Sequence, residues 1–444
     1  MLTYFSVANW RSFKDKCRVT LEAPEDRQHE GRGPKTRKVG QAGTKVLPAA
    51  AIFGGNATGK TSFVLALLFA RDLVTQGCIQ EAPVDVDPFL LDKKTEKKPS
   101  SFVFGLAIGE DTYEYSFKVT HMKVQEEKLV KTSSKPKVVL FDRKGTDISF
   151  DWSVPEKEPL KSVVKSTALN QLLLSNTVLH GEDIFRPIYD WFAFSLECIP
   201  SDFGYASFDQ FMGPAHKQNA LQMNQAIAEL DLGIDGLESE EIPLDVFPGS
   251  QELGKQLLAE LSDGESTRLQ LPSERIFAVA TRKGKKIVVE DLVARHRDMG
   301  GRKTVLQLWQ ESDGAKRLIE LLPIFLWGTG PGTSRTFVID DLGRDLDTPK
   351  ARKLLALFLS NCSKDSRSQL LFTTRDVMLM DHSLLGTNEM WVMERSGSGE
   401  SGLLSVQDHE AQAHGATKDG PPRNRMGVPD SLLDMVFGKE ADSQ

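Results

Sequence analysis

The sequence has no apolar run that reaches the roughly 18 residues a membrane-crossing helix needs. Its first residues, MLTYFSVANW, carry no basic stretch followed by an apolar one of the kind that directs secretion. A cytoplasmic protein is expected, with no membrane partner. Cysteine is scarce. Cys17, Cys78, Cys198 and Cys362 stand far apart with no C-x-x-C pair, which argues against a disulfide framework or a paired-cysteine metal site and for reduced thiols. Positive charge is not in excess either. The net charge of −7 gives no global pull toward nucleic acid, so any such contact must come from a local basic stretch such as Arg32–Lys38, Lys93–Lys98 or Arg282–Lys286. Long heptad runs are missing, which argues against an extended coiled-coil arm. No H-N-H pattern and no acidic metal cluster announces a nuclease. What remains is the ordinary balance of a folded chain, 40% hydrophobic and 26% charged over 444 residues, enough for two or three domains or one large core with an insertion.

The stretch Ala49 to Leu68 carries the strongest signal. Ala50–Phe53 is a short apolar run suited to a buried strand, and Thr61–Leu68 continues as an apolar helix. Between them Gly54-Gly55-Asn56-Ala57-Thr58-Gly59-Lys60-Thr61, with Ser62 following, satisfies G-x-x-x-x-G-K-[ST] in the strand-loop-helix context that gives the pattern meaning. Glycines let the backbone approach phosphates, and successive N–H groups face an anion at the positive end of a helix. Lys60 is then expected on the β and γ phosphates of ATP and the Thr61 hydroxyl on Mg²⁺.

The expected fold class is α/β: a P-loop ATPase head carrying an antiparallel β meander and a mostly helical insertion. Residues 1–150 are read as the N-terminal lobe, with strands Leu2–Val7 and Cys17–Leu21 before the loop and short β patterns at Pro88–Leu91, Ser101–Ile108, Thr112–Lys118, Glu127–Lys131 and Lys137–Asp142 after it. Residues 151–270 show helical spacing at Leu169–Leu174, Ile184–Leu196, Phe208–Leu230 and Gln251–Leu261. Residues 271–410 form a C-terminal lobe that begins with a hairpin, Ile276–Ala280 and Lys286–Asp291. Residues 411–444 read as a mobile tail in which Pro429–Phe437 is a short amphipathic segment, either docked on the core or binding a partner.

The C-terminal lobe supplies the other parts of an ATPase. TFVIDD, Thr336–Asp341, is an apolar strand ending in two carboxylates, so Asp340 is expected to support Mg²⁺ and Asp341 to polarise the attacking water. QLLFTT, Gln369–Thr374, is the next buried strand, with Arg375 at its carboxyl end. Asp345 and Asp347 are read as part of the turn after the Walker B strand, bracketed by Gly343 and Pro349. Trp309–Leu322, WQESDGAKRLIELL, places Ser312 and Gly314 at a helix start, which taken alone is a helix cap.

In this order, N-W-R-S-F at Asn9–Phe13, GGNATGKT, E-S-D-G-A-K-R-L at Glu311–Leu318, F-V-I-D-D and L-F-T-T-R-D resemble the compact ABC/SMC-like ATPases of the AAA family, with relatives in the OLD and RecF groups. The likeness is nearest to ATPase subunits of bacterial anti-phage and abortive-infection systems such as PARIS, and covers roughly residues 1–120 and 300–410. It implies a homo-oligomer whose ATP sites form head to head, Walker A and Asp340 of one chain facing Ser312 and Gly314 of the next. It also implies Arg11 near the nucleotide, and a role as a sensor that holds an effector nuclease until a phage product appears. Two positions depart from the pattern. The family usually has Glu where Asp341 stands and His where Arg375 stands; Arg binds or stabilises charge but shuttles no proton, so slow turnover is expected. The other reading, from a different class, is a DNA-clamping ATPase of the RecF or SMC type that uses basic loops. A P-loop kinase of small molecules is disfavoured by the signature helix.

Overall fold

The parallel arrangement around the phosphate loop rests on three runs that keep every residue from solvent. Ala49–Phe53, Thr336–Ile339 and Gln369–Thr374 are buried at every position, as strands covered on both faces must be. The structure is a computed structural model that describes residues 1–23, 36–40, 43–78, 82–133, 136–151, 153–154, 158–201, 217–247, 249–270, 277–330, 332–363 and 365–408. The tail segments Gln412–Met426 and Pro429–Phe437, residues 32–35 of the first basic stretch and residues 208–216 of Phe208–Leu230 lie outside the described residues. The chain divides into two compact units, residues 1–201, 329–342 and 359–444 in the first, residues 202–328 and 343–358 in the second.

In the first unit a six-stranded sheet runs Leu196–Ile199, Thr336–Ile339, Gln369–Thr374, Ala49–Phe53, Met390–Arg395, Ser401–Ser405. Neighbours are parallel except for the last pair, a hairpin. Ala49–Phe53 therefore lies inside the sheet, and Gly54, Asp340 and Arg375 all leave from carboxyl ends, where ligands gather in such sheets. The second sheet is antiparallel with seven strands: Leu2–Ala8 and Cys17–Thr20 join the meander between Ser100 and Phe150. The helix Lys60–Thr75 turns Phe63, Val64, Leu67 and Ala70 inward at helical spacing. Phe63 meets Phe5 of the antiparallel sheet at 5.3 Å between ring centroids, in one cluster that also holds Phe104, Ile52, Val338 and Leu371.

The second unit is built on a five-stranded antiparallel sheet, Gly236–Ile242, Lys286–Arg297, Phe277–Lys283 and Ser266–Gln270 in spatial order, with Lys303–Gln307 on the long strand Lys286–Arg297. Helices Lys217–Leu230, Ser250–Glu260 and Asp313–Trp327 accompany it.

Some elements differ from expectation. Pro88–Leu91 forms no strand, because its polar backbone is taken by side chains: the Phe89 N–H donates to Asn9 Oδ1 at 3.1 Å and Thr95 Oγ1 donates to the Phe89 carbonyl at 2.8 Å. Ile184–Leu196 is not one helix. It is a short helix Arg186–Asp190, a π turn Trp191–Ser195 and then the edge strand Leu196–Ile199. Residues 151–270 hold more helix than strand but divide between the units, so they do not make one insertion.

Candidate functional site

The phosphate loop is a backbone device, and its shape follows from which groups its carbonyls face. Gly59 has φ +111° and Ala57 φ +61°. A Cβ on Gly59 would stand 2.4 Å from Ser401 Oγ and 2.8 Å from Ser12 Oγ, and one on Gly54 would stand 2.6 Å from the Met393 carbonyl. Only glycine fits at these positions. Lys60 Nζ donates to the carbonyls of Gly54 and Gly55, both at 2.7 Å. Burial lowers its pKa first, helped by the positive Arg375 and opposed by Asp341 and Asp340.

Across from the loop, two strand ends bring the acids. Thr61 Oγ1 donates to Asp340 Oδ2 at 2.8 Å, and Thr373 Oγ1 donates to Asp340 Oδ1 at 2.6 Å. The same Thr373 hydroxyl accepts the Asp341 N–H at 2.8 Å. Asp341 is left-handed, φ +49°, a strained conformation for aspartate that turns its carboxylate into the site. Its Oδ1 is buried without a hydrogen-bond partner, while Oδ2 lies 3.6 Å from the Arg375 guanidinium.

These groups line one cavity of about 290 Å³: Asn56, Ala57, Thr58, Gly59, Lys60, Thr61, Ser62, Asp340, Asp341 and Arg375, joined by Ser12, Ser201 and Arg395. Thr61 and Asp340 suit Mg²⁺, a hard cation that takes one or two protein oxygens and completes its shell with water and phosphate. Among the described residues there is no group of three or more His, Cys, Asp and Glu that could hold a metal ion.

Arg11, expected beside the nucleotide, faces elsewhere. Its backbone is left-handed at φ +45°, its N–H donates to the Asp87 carbonyl at 2.7 Å, and its guanidinium pairs with the Asp87 carboxylate at 2.8 Å. It borders a separate cavity with Trp10, Phe69 and Asp72. The turn brings its neighbour Ser12, not Arg11, to the phosphate loop. Ser12, Ser201 and Arg395 were missed from sequence; only Ser12 had a signal, its place in N-W-R-S-F.

In the second unit Ser312 is the N-cap of helix Asp313–Trp327 and accepts the Ala315 N–H at 3.2 Å. Gly314 sits so close to the Asp345 carbonyl that a Cβ would stand 2.5 Å from it. Both line a cavity of about 270 Å³ with Asp231, Asp347 and Lys350. The cap reading of this helix start is thus realised within the chain.

The family described as "AAA domain, putative AbiEii toxin, Type IV TA system" matches residues 49–381. No curated protein has a significantly similar sequence. Among solved structures, an SMC head bound to the C-winged helix domain of ScpA is 13% identical, with a TM-score of 0.43 over 92% of this chain and 99% of that one. The SMC head domain from Thermotoga maritima is 12% identical, with a TM-score of 0.36 over 91% and 98%. Among the described residues no helix is long and apolar enough to cross a membrane.

Proposed function

The chain belongs to the family described as "AAA domain, putative AbiEii toxin, Type IV TA system", and from that premise we propose that it is a slow ATPase of the ABC type whose nucleotide-bound oligomer restrains an effector in anti-phage defence. The observation that carries the ATPase reading is the triad Thr61–Asp340–Thr373, in which a loop hydroxyl and a strand-end carboxylate are locked at 2.8 Å beside the phosphate loop.

Each residue then has a task. The loop N–H groups bind the phosphates, and Lys60 exchanges the Gly54 and Gly55 carbonyls for phosphate oxygens. Thr61 and Asp340 would hold Mg²⁺, which supplies charge neutralisation at the phosphates when bound. Asp341, whose Oδ1 is buried and unpartnered, would accept a proton from the attacking water. The Arg375 guanidinium lies 3.6 Å from the other oxygen, where it can also meet a phosphate oxygen. Ser312 and Gly314 of a second copy would complete each site, and the effector, a nuclease, would be released when a phage protein binds.

ATP hydrolysis by the purified chain tests the core of this reading. Lys60→Ala should abolish nucleotide binding, and Asp341→Glu with Arg375→His should raise the turnover rate by about tenfold, a fraction of the roughly 100- to 10,000-fold that general acid–base catalysis contributes. Undiminished ATP affinity in Lys60→Ala would remove the reading.

A second reading rests on one surface turn. Lys93, Lys94, Lys97 and Lys98 are all exposed, and Asn9 Nδ2 pins the turn by donating to the Thr95 and Lys98 carbonyls at 3.0 and 2.8 Å. Four cations on a fixed loop suit a phosphate backbone and favour a DNA-clamping ATPase. DNA affinity falling with salt at a slope of several phosphates would support it, and the absence of such affinity would remove it.

A further inference from the structure

Trans peptides point a C=O and the following N–H in opposite directions, so whatever holds a loop's carbonyls also aims its amides. In the phosphate loop two carbonyls are held by residues more than 300 positions away. Ser401 Oγ donates to the Thr58 carbonyl at 2.7 Å, and Arg395 Nη1 donates to the Ala57 carbonyl at 3.3 Å. Both residues belong to the hairpin Met390–Arg395 and Ser401–Ser405, which pairs with Ala49–Phe53, the strand that feeds the loop. The hairpin turn is fixed in its own right. The Ser401 N–H donates to the Ser12 carbonyl at 2.8 Å, Lys14 Nζ meets Glu400 Oε1 at 3.0 Å, and Arg395 Nε donates to the Gly399 carbonyl at 3.1 Å.

The Gly54 carbonyl, by contrast, accepts from Lys60 Nζ, and the Gly55 carbonyl from Lys60 Nζ and from Thr58 Oγ1 of the same loop at 3.0 Å; the lysine bonds must break if Lys60 is to reach a phosphate. The Thr58 and Gly59 amides are therefore aimed by contacts from outside the loop that do not involve Lys60 and that survive nucleotide entry. We propose that Ser401 and Arg395 are positioning residues of the nucleotide site: they preorganise the Thr58 and Gly59 N–H groups toward a phosphoanhydride before it binds. The proposal rests on the ATPase reading and adds to it the means by which the loop is shaped in the absence of ligand. Preorganised amides bind an anion without an ordering cost at the moment of contact.

The test is equilibrium binding of ATP to the full chain, with steady-state hydrolysis and thermal melting measured on the same samples. Ser401→Ala and Arg395→Ala should each weaken ATP affinity by about tenfold, the effect of one well-made hydrogen bond, with kcat changed by less than about threefold and the melting temperature unchanged. Arg395→Lys, which keeps one donor, should recover part of the loss. Unaltered ATP affinity in Arg395→Ala, an exposed position that the fold tolerates losing, would overturn the proposal. A loss of kcat and melting temperature in step with affinity would overturn it too, because the hairpin would then be a fold element and nothing more. Wild-type protein that binds no ATP would instead bring down the ATPase reading, and these outcomes are distinct.

Discussion

Lys60 shows how one residue serves a loop in two states. The residue is buried and its ammonium occupies two carbonyls of its own loop, which offsets the cost of carrying a charge there. Glu389 is the opposite case, a buried carboxyl at the start of strand Met390–Arg395. It is fully buried, and burial pushes its pKa up to about 8, against weaker lowering by the Gly386 and Ala49 backbone groups and by Arg37. A carboxyl raised in the folded state makes the folded protein bind more protons than the unfolded one between the two pKa values, so its contribution is fully present below about 4.5 and is lost as pH rises through about 8. Every tenfold difference in proton affinity between the folded and unfolded states is worth about 1.4 kcal/mol. Thermal melts should therefore show wild-type stability falling by several degrees from pH 5 to pH 8. Glu389→Gln, which keeps an oxygen for the Gly386 N–H at 3.0 Å, should flatten that slope. Parallel slopes in the two proteins would remove Glu389 as the cause.

At the scale of elements, the site is assembled where strands end. The phosphate loop was legible because its chemistry is contiguous: strand, glycines, lysine and helix lie within twenty residues, and the same holds for the two acids after Thr336–Ile339. What adjoins them across the sheet was not legible. Thr373 serves both acids with one hydroxyl, at 2.6 Å to Asp340 Oδ1 and 2.8 Å to the Asp341 N–H, yet in sequence it is one threonine in a buried run. Arg395 and Ser401 come from a hairpin whose second strand gives no pattern beyond SGLLS. The edge strand Leu196–Ile199 was hidden because the π turn before it keeps apolar residues at near-helical spacing. Arg11 was misplaced for a local reason, a left-handed backbone that no residue preference announces in arginine. Thr373→Val keeps the volume of the side chain and deletes the shared hydroxyl. The cost should be about 1–3 kcal/mol of stability from buried groups losing a partner, together with a higher Mg²⁺ requirement for ATP binding, while Thr373→Ser should retain both. An Mg²⁺ titration of ATP affinity reads the difference, and an unshifted midpoint in Thr373→Val would detach Thr373 from the metal site.

For the whole molecule, the decisive question is whether one chain suffices for catalysis. Ser312 and Gly314 open the helix Asp313–Trp327, and a helix N-terminus with a small residue at its mouth is a ready site for an anion. Within its own unit Ser312 Oγ is engaged as the cap of Ala315 N–H, so a phosphate would have to share or displace that bond. If two copies sandwich ATP, each site takes Lys60 from one copy and Ser312 from the other. Lys60→Ala and Ser312→Arg should then each be inactive alone. In a one-to-one mixture each mixed dimer would carry one intact site, so activity should return to about a quarter of wild type if the copies pair at random and to about half if only mixed dimers form. Size measured with and without ATP should show the wild type associating only with nucleotide, and Lys60→Ala remaining unassociated. Complementation without a change in size would place the shared site in a preformed oligomer. Failure of the mixture, with both single variants folded and inactive, would mean that Ser312 acts only as a helix cap in its own chain and that hydrolysis belongs to a single copy.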